Sequence, residues 1–305
     1  MNFKGVYSVL PTPFTSSGEL DLQSLKRVID LYIRAGVNGL TALGVTSETA
    51  RLSDAERMAV LETVMQHVKN RVPVIVGSST EGLKTCIELS RKAKELGADA
   101  VMISPPRMPK LNSDTVVNHF RSVTEAVDIP IVIQDYPPIS GFTMEASLLA
   151  KIAREVPTAR TIKLEDPPTP LKIARVLERA EGIPLAILGG LGGTYLLEEL
   201  MAGAAGTMTG FAIPEILVNV VRNFHSGNRD KTAEMFYHSV AVMRFEFQEG
   251  IGMAIRKEIL RRREVISSPH VRAPAANLDI STQQTLDSLL TWFLNQNKEI
   301  TWILD

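Results

Sequence analysis

Lys163 stands inside a short apolar and partly β-branched run, residues 161–164, which is followed by the carboxylates Glu165 and Asp166 and then by two prolines. Such a run is typical of a buried strand. Burial disfavours the charged form of an amine, and a neutral amine can attack a carbonyl carbon. Lys163 is therefore our candidate nucleophile, although a strand-end lysine can also simply extend to water.

A lysine nucleophile can attack the carbonyl carbon of a 2-oxo acid. Attack on the 2-oxo group gives a carbinolamine and then a protonated imine, which draws electrons from the adjacent C3 position and makes either a C3 proton or a C3–C4 bond labile. Glu165 lies two residues from Lys163, so its side chain points the same way along a strand. We expect Glu165 to be the general base. An ion pair between the two is the alternative, and Asp135 and Glu48 are further candidates for the base.

Polar residues and glycines also follow other apolar runs. Thr46 and Ser47 lie in the segment Gly-Val-Thr-Ser-Glu at residues 44–48, and their hydroxyls and backbone N–H groups could bind the substrate carboxylate without an arginine. Gln134 and Asp135 end the fifth run. Gly189 opens a glycine-rich loop. We expect this loop to be structural or to lie close to a substrate hydroxyl, and phosphate binding by its backbone amides is the less favoured alternative. Met208 in the eighth run completes the predicted substrate-binding set.

The order of elements predicts the fold. Short β-rich runs alternate with amphipathic segments of about a dozen residues, which indicates βα units and a parallel sheet. The eight runs are residues 6–10, 39–43, 72–77, 100–104, 130–134, 161–164, 185–189 and 206–209. Without a dinucleotide-binding glycine fingerprint, eight such units favour the α/β class of a closed (β/α)₈ TIM barrel, residues 1–226. Residues 227–305 are predicted to form a C-terminal helical extension, with helices near 229–247, 251–263 and 282–295.

Composition excludes several other classes of partner. The chain has 305 residues, a net charge of -1 and a pI near 6.6, so it offers no field for nucleic acid or for a membrane surface, and the run 261–263 (Arg-Arg-Arg) is interpreted as a solvated helix face. Because the N-terminus has no long apolar stretch, we expect a cytoplasmic protein. One cysteine and five scattered histidines predict no metal site, and we expect no cofactor.

Taken together, segment 44–48, the loop with Pro137 after the fifth run, Lys163 and the three C-terminal helices resemble the dihydrodipicolinate synthase and N-acetylneuraminate lyase superfamily. The resemblance spans essentially the whole chain. It implies that Lys163 forms a Schiff base and that Thr46, and with it Ser47 in a place where glycine is usual, binds the carboxylate of a 2-oxo acid. It also implies a homo-oligomer, either a tetramer or a dimer.

Departures from the synthase pattern decide the expected branch. Gln134, Val45 and the pair Pro106-Arg107 stand where the synthase has its proton-relay hydroxyls, which disfavours lysine biosynthesis. The Gln134-Asp135 pair and the pattern Lys163-Leu164-Glu165 are more similar to 2-keto-3-deoxy sugar acid enzymes, especially L-2-keto-3-deoxyarabonate dehydratase. We therefore expect a dehydratase in which Gln134 and Asp135 hold substrate hydroxyls. The alternatives are a class I aldolase, 4-hydroxy-tetrahydrodipicolinate synthase, and a non-catalytic barrel that binds a 2-oxo acid.

Overall fold

The predicted runs form the strands of a closed barrel in the computed structural model. The structure describes residues 3–298, 300 and 302. Eight parallel strands pair in chain order, and the last pairs with the first. The strands are β1 (Gly5–Val9), β2 (Gly39–Ala42), β3 (Val74–Gly77), β4 (Ala100–Ile103), β5 (Ile131–Asp135), β6 (Thr161–Leu164), β7 (Ala186–Gly189) and β8 (Gly206–Thr209). The (β/α)₈ barrel with a C-terminal helical extension is confirmed, with strand ends within about two residues of those predicted.

Helices surround the barrel and follow it. They are α1 (Leu22–Arg34), α2 (Asp54–Val68), α3 (Leu83–Glu95), α4 (Ser113–Ala126), α5 (Pro137–Ser140), α6 (Ala146–Glu155), α7 (Thr169–Arg179), α8 (Leu196–Met201), α9 (Pro214–His225), α10 (Arg229–Glu246), α11 (Gly252–Arg262) and α12 (Ile280–Gln296). Side-chain hydrogen bonds cap the N-termini of several of these helices. Ser53 accepts a hydrogen bond from the Glu56 N–H while the Glu56 carboxylate accepts one from the Ser53 N–H, which is a capping box at α2.

Alternation along the strands divides the apolar core in two. An inner cluster fills the barrel, and an outer one lies between the strands and the helices. The inner cluster contains Phe3, Tyr7, Val9, Ile75, Ala100, Met102, Val132, Leu188 and Met208. Lys163 is the register partner of both Gln134 and the inward-facing Leu188, whereas Leu164 pairs with Asp135. Gln134 and Lys163 therefore face the barrel interior side by side, and Asp135 faces outward.

A buried charge at the end of α11 ties the C-terminal extension to the barrel. The Arg263 side chain, interpreted from the sequence as solvated, is buried, donates to the Ala212 carbonyl and pairs with Glu215 at 2.6 Å. That interpretation was wrong for Arg263, because the end of α11 packs against the loop after β8. There the guanidinium can donate to carbonyls that would otherwise be unpaired. Among the helices in the described residues, none is both long and apolar enough to span a membrane.

Candidate active site

Three side chains from adjacent strands converge at the carboxyl end of the barrel. Lys163 Nζ lies 3.0 Å from Glu165 Oε2, and Gln134 Nε2 donates to the same oxygen at 3.1 Å. Lys163, Glu165 and Gln134 are 4%, 8% and 2% exposed. The sequence-predicted trio is thus brought together in a nearly dry site, where an ion pair or a proton transfer is little screened by water.

Gly190 makes room for the Glu165 side chain. A Cβ atom at Gly190 would lie 2.3 Å from Glu165 Cγ and 2.6 Å from Glu165 Oε1, distances that no real side chain tolerates. The glycine-rich loop after β7 therefore has a structural role at the lysine, namely holding the carboxylate of Glu165 beside the amine.

Thr46 and Ser47 sit in one tight turn after β2 but differ in what they can offer a ligand. The Ser47 hydroxyl donates to the Leu10 carbonyl at 2.5 Å and accepts from the Gly44 N–H, so its proton is already used to tie this turn to the loop after β1. Thr46 Oγ1 is buried and, within the described part of the chain, has no hydrogen-bond partner. Of the two predicted carboxylate ligands, Thr46 is the one with a side-chain donor free for substrate.

Glu48, a further candidate for the base, points away from Lys163. Its backbone is left-handed, at φ 56°, and its carboxylate pairs with Lys257, with Arg51 at 2.7 Å and with the Arg272 N–H at 3.2 Å. Lys257 is fully buried, which lowers its pKa to about 8 against the opposing effect of Glu48. The role of Glu48 is therefore to fasten the turn that carries Thr46 to the C-terminal extension.

Asp135 belongs to a charged layer behind the strands and is not part of the lysine cluster. Its carboxylate lies 2.6 Å from Lys172 Nζ on α7, and Lys172 also donates to Asp166 at 2.7 Å. Burial raises the pKa of Asp135 to about 6, although Lys172 opposes the rise. The opposite strand parity of Asp135 and Gln134 explains why the structure brings only Gln134 to the lysine.

Gly189 and Met208, the remaining predicted substrate contacts, lie on opposite sides of the sheet. Met208 belongs to the inner cluster. A Cβ atom at Gly189 would lie 1.7 Å from Glu199 Oε2, so the absence of a side chain there accommodates Glu199. Glu199 is fully buried and accepts a hydrogen bond from Thr169 Oγ1 at 2.6 Å, and sequence analysis missed it because α8 shows no local sign of an inward carboxylate.

The buried Glu199 carboxyl predicts a specific pH dependence of stability. Burial, and secondarily Glu165, raises its pKa from 4.5 to about 7, so between these values the folded state holds a proton that the unfolded chain releases. Stability present below that window is lost as the pH rises through it. We expect Glu199→Gln to abolish this loss. The free energy of unfolding of the variant minus that of wild type is therefore expected to be larger near pH 8 than near pH 5, by on the order of 3 kcal/mol.

Urea unfolding at the two pH values measures this difference. Asp135 has a raised pKa and acts in the same direction, but it is present in both proteins and cancels in the comparison. Glu198→Gln, at the half-buried neighbouring position, is the matched control and is expected to leave most of the loss in place, because burial contributes more than Glu198 to the raised pKa of Glu199. An equal effect of Glu199→Gln at both pH values would show that Glu199 is already ionised near pH 5.

A cavity of about 320 Å³ leads to the barrel mouth, which is within the usual size of a small-ligand site. Gln134 is shared between this cavity and the lysine cluster. The wall near the mouth also includes Gly44, Val45, Met102 and Ile139, and the outer part includes Asp54, Arg57 and Met58 of α2 and Leu89 and Lys92 of α3. In residues 3–298, 300 and 302, no group of three or more His, Cys, Asp or Glu side chains could hold a metal ion.

Comparison with known proteins places these features in a family. The model of the dihydrodipicolinate synthetase family matches residues 2–292. L-2-keto-3-deoxyarabonate dehydratase of Azospirillum brasilense is 32% identical over 289 residues, covering 93% of this chain and 92% of that protein. 4-Hydroxy-tetrahydrodipicolinate synthase of Methanothrix thermoacetophila is 30% identical over 291 residues, covering 95% and 96%.

Solved structures agree with the family match. A prophage protein of the dihydrodipicolinic acid synthase family from E. coli K12, solved in complex with pyruvate, superposes with a TM-score of 0.89 at 26% identity and covers 95% of this chain and 98% of that chain. The chain therefore belongs to the dihydrodipicolinate synthetase family. It is a Schiff-base lyase of this family, and its relatives include both a sugar acid dehydratase and a synthase.

Proposed function

We propose that this lyase dehydrates a 2-keto-3-deoxy sugar acid through an imine on Lys163. The observation that carries the proposal is the single carboxylate oxygen, Glu165 Oε2, that lies within 3.0 Å of Lys163 Nζ and 3.1 Å of Gln134 Nε2. One carboxylate beside the amine can serve each proton transfer of the reaction, and the amide holds it in place.

The first stage makes the imine. Glu165 accepts a proton from Lys163 Nζ, and the free amine attacks C2 of the 2-oxo acid while the Thr46 hydroxyl donates to the substrate carboxylate. The former ketone oxygen takes one proton from the attacking nitrogen and the one held by Glu165 and leaves as water, which gives a protonated imine and an ionised Glu165. Because the site is nearly closed to solvent, the positive charge of the imine is stabilised chiefly by the Glu165 carboxylate, which takes the place that it had beside the ammonium.

The second stage removes water from the sugar acid. Glu165 takes a proton from C3, and the electron pair forms an enamine. That pair then expels the C4 hydroxyl, which leaves as water with the proton held by Glu165. Hydrolysis of the conjugated imine releases a 2-oxo acid lighter by one water and restores Lys163. Gln134, the register neighbour of Lys163, is placed to hold a substrate hydroxyl or to orient Glu165 during these steps.

Two features support dehydration over synthesis. Gln134 is the strand neighbour of the lysine, and Val45, which is 39% exposed, precedes Thr46, so at these two positions an amide and an alkyl group stand where a synthase relay uses hydroxyls. The match to L-2-keto-3-deoxyarabonate dehydratase supports the same choice. The match to the Methanothrix synthase keeps 4-hydroxy-tetrahydrodipicolinate synthase as the second candidate. The expected homo-oligomer, the cytoplasmic location and the division at residue 226 stay predictions.

Product analysis with L-2-keto-3-deoxyarabonate tests the proposal. We expect mass spectrometry to show a 2-oxo acid that has lost one water, with no pyruvate. Pyruvate plus an aldehyde would identify a class I aldolase instead, because cleavage uses the same enamine but breaks the C3–C4 bond. The same protein preparation is given pyruvate and aspartate semialdehyde, and ready turnover of that pair would establish the synthase. Ligand protection without turnover or covalent trapping would indicate a non-catalytic binding protein.

A further inference from the structure

Helix α11 of the C-terminal extension reaches the turn that carries Thr46 through two adjacent cationic side chains. Lys257 pairs with the Glu48 carboxylate, donates to the His270 carbonyl at 2.8 Å and lies 4.2 Å from the centre of the Phe14 ring. Its neighbour Arg256 is 3% exposed and turns toward the loop after β8. One helix therefore holds two of the loops that border the barrel mouth.

Arg256 is a neighbour of the Thr46 hydroxyl. A Cβ atom at Gly210, directly after β8, would lie 2.0 Å from Arg256 Nη1 and 3.1 Å from Thr46 Oγ1. The guanidinium and the hydroxyl thus border the same space, which the missing side chain of Gly210 leaves free. Arg256 is fixed there by donating from Nη2 to the Gly210 carbonyl at 2.5 Å and from Nε to Glu246 at 2.6 Å.

The Thr46 hydroxyl and the Arg256 guanidinium together offer two donors to a carboxylate. Thr46 Oγ1 is buried without a partner among the described residues, a costly state for a hydroxyl unless a ligand supplies the acceptor. A guanidinium next to such a donor favours an anionic acceptor over a neutral one. The Nη1 group of Arg256 has only the weak acceptor Met253 Sδ, at 3.8 Å, among the contacts of the described residues.

We propose that Arg256 is the cationic binding residue for the carboxylate of the 2-oxo acid, acting together with the Thr46 hydroxyl. This inference rests on the proposed function, in which Thr46 binds that carboxylate. It makes α11 part of the substrate site. The sequence predicted that hydroxyls and backbone N–H groups bind the substrate carboxylate without an arginine, whereas here Arg256 binds it as well. Lys257 is a positioning residue, because it acts on the same turn through Glu48.

The choice of variant follows from the surroundings of Arg256. Removing Arg256 alone leaves the Glu246 carboxylate buried without its cation, which is strongly destabilising, so the double variant Arg256→Met with Glu246→Gln removes both charges together. Arg256→Lys keeps the charge and loses the planar fork. Arg261→Met removes a cation from the same helix, at a side chain that is 44% exposed and paired with Glu258, and is the matched control.

The experiment compares pyruvate with its uncharged methyl ester in borohydride trapping, followed by mass spectrometry. Wild type is expected to trap pyruvate at a concentration at least about tenfold lower than the ester, since an ion pair distinguishes the two. In the double variant the half-saturating pyruvate concentration is expected to rise about 10- to 100-fold, with the ester and the maximal trapping little changed. Arg256→Lys is expected to keep most of the preference, and Arg261→Met all of it.

Each other outcome has a defined meaning. An unchanged pyruvate concentration in the double variant, or an equal rise for pyruvate and the ester, overturns the proposal and leaves Arg256 a purely structural residue. A loss in Arg256→Lys as large as in the double variant does the same, since the charge would then be irrelevant. Failure of wild type to trap pyruvate at all is a different result, because it refutes the Schiff-base function itself and this inference with it.

Discussion

Pyruvate and borohydride are expected to leave a covalent adduct on wild type and none on a Lys163→Arg variant, while turnover falls by at least about 10⁴-fold. The reason is that arginine keeps the positive charge beside Glu165 but cannot release a proton at accessible pH, so it cannot become a nucleophile. Intact-protein mass spectrometry measures the adduct, and peptide mapping places it. Arginine is preferred to alanine here because alanine would leave Glu165 buried without a cation, at about 3–5 kcal/mol.

Two other lysines, the buried Lys257 and the half-buried Lys172, are the possible competitors in this test. Lys172 lies behind the strands, between Asp135 and Asp166, and Lys257 lies under the turn that carries Thr46. Burial lowers the pKa of Lys257 to about 8, so it is the competitor with an amine most readily freed. Lys172→Arg and Lys257→Arg are the controls and are expected to keep the adduct. An adduct that survives in Lys163→Arg and maps to Lys257 would show that the nucleophile is Lys257, in the C-terminal extension.

The sequence contained enough to predict the barrel and the centre of the site, because both depend on local patterns. Two-residue periodicity places Lys163 and Glu165 on one face, and parallel pairing sets Gln134 beside Lys163. The same parity should have excluded Asp135, whose outward carboxylate pairs with Lys172. Grouping Gln134 with Asp135 as one substrate-binding pair ignored an alternation that the sequence already shows.

The supporting residues could not be predicted, since they come from distant parts of the chain. Arg256 meets Gly210 across 46 positions, and Glu48 accepts from the Arg272 N–H across 224 positions. A partial signal was present in α11, where Arg256 and Lys257 follow the apolar Ala254 and Ile255 and precede Ile259 and Leu260. Cations inside an apolar helix require buried acceptors, but only the tertiary structure shows which acceptors they find.

Deuterium exchange into the methyl group of pyruvate is expected to slow about 10²- to 10⁴-fold in a Glu165→Gln variant, which is the usual contribution of a positioned general base. Glutamine preserves the size of the side chain and can still accept from Gln134, but it cannot take a proton from C3. Imine formation at saturating pyruvate is expected to be slowed less, because Lys163 loses the adjacent carboxylate but keeps its own attacking nitrogen. Proton NMR of the pyruvate methyl signal in D₂O measures the exchange.

Exchange separates the role of Glu165 as a base from its role as an ion-pair partner. If Glu165 only holds the lysine, the variant loses adduct and exchange together; if it is the base, exchange falls while the adduct remains. Glu199→Gln is the matched control. The Glu199 carboxyl is also buried and interacts electrostatically with Glu165, but it lies against Gly189 and is not part of the lysine cluster. Wild-type exchange in Glu165→Gln would show that another group takes the C3 proton.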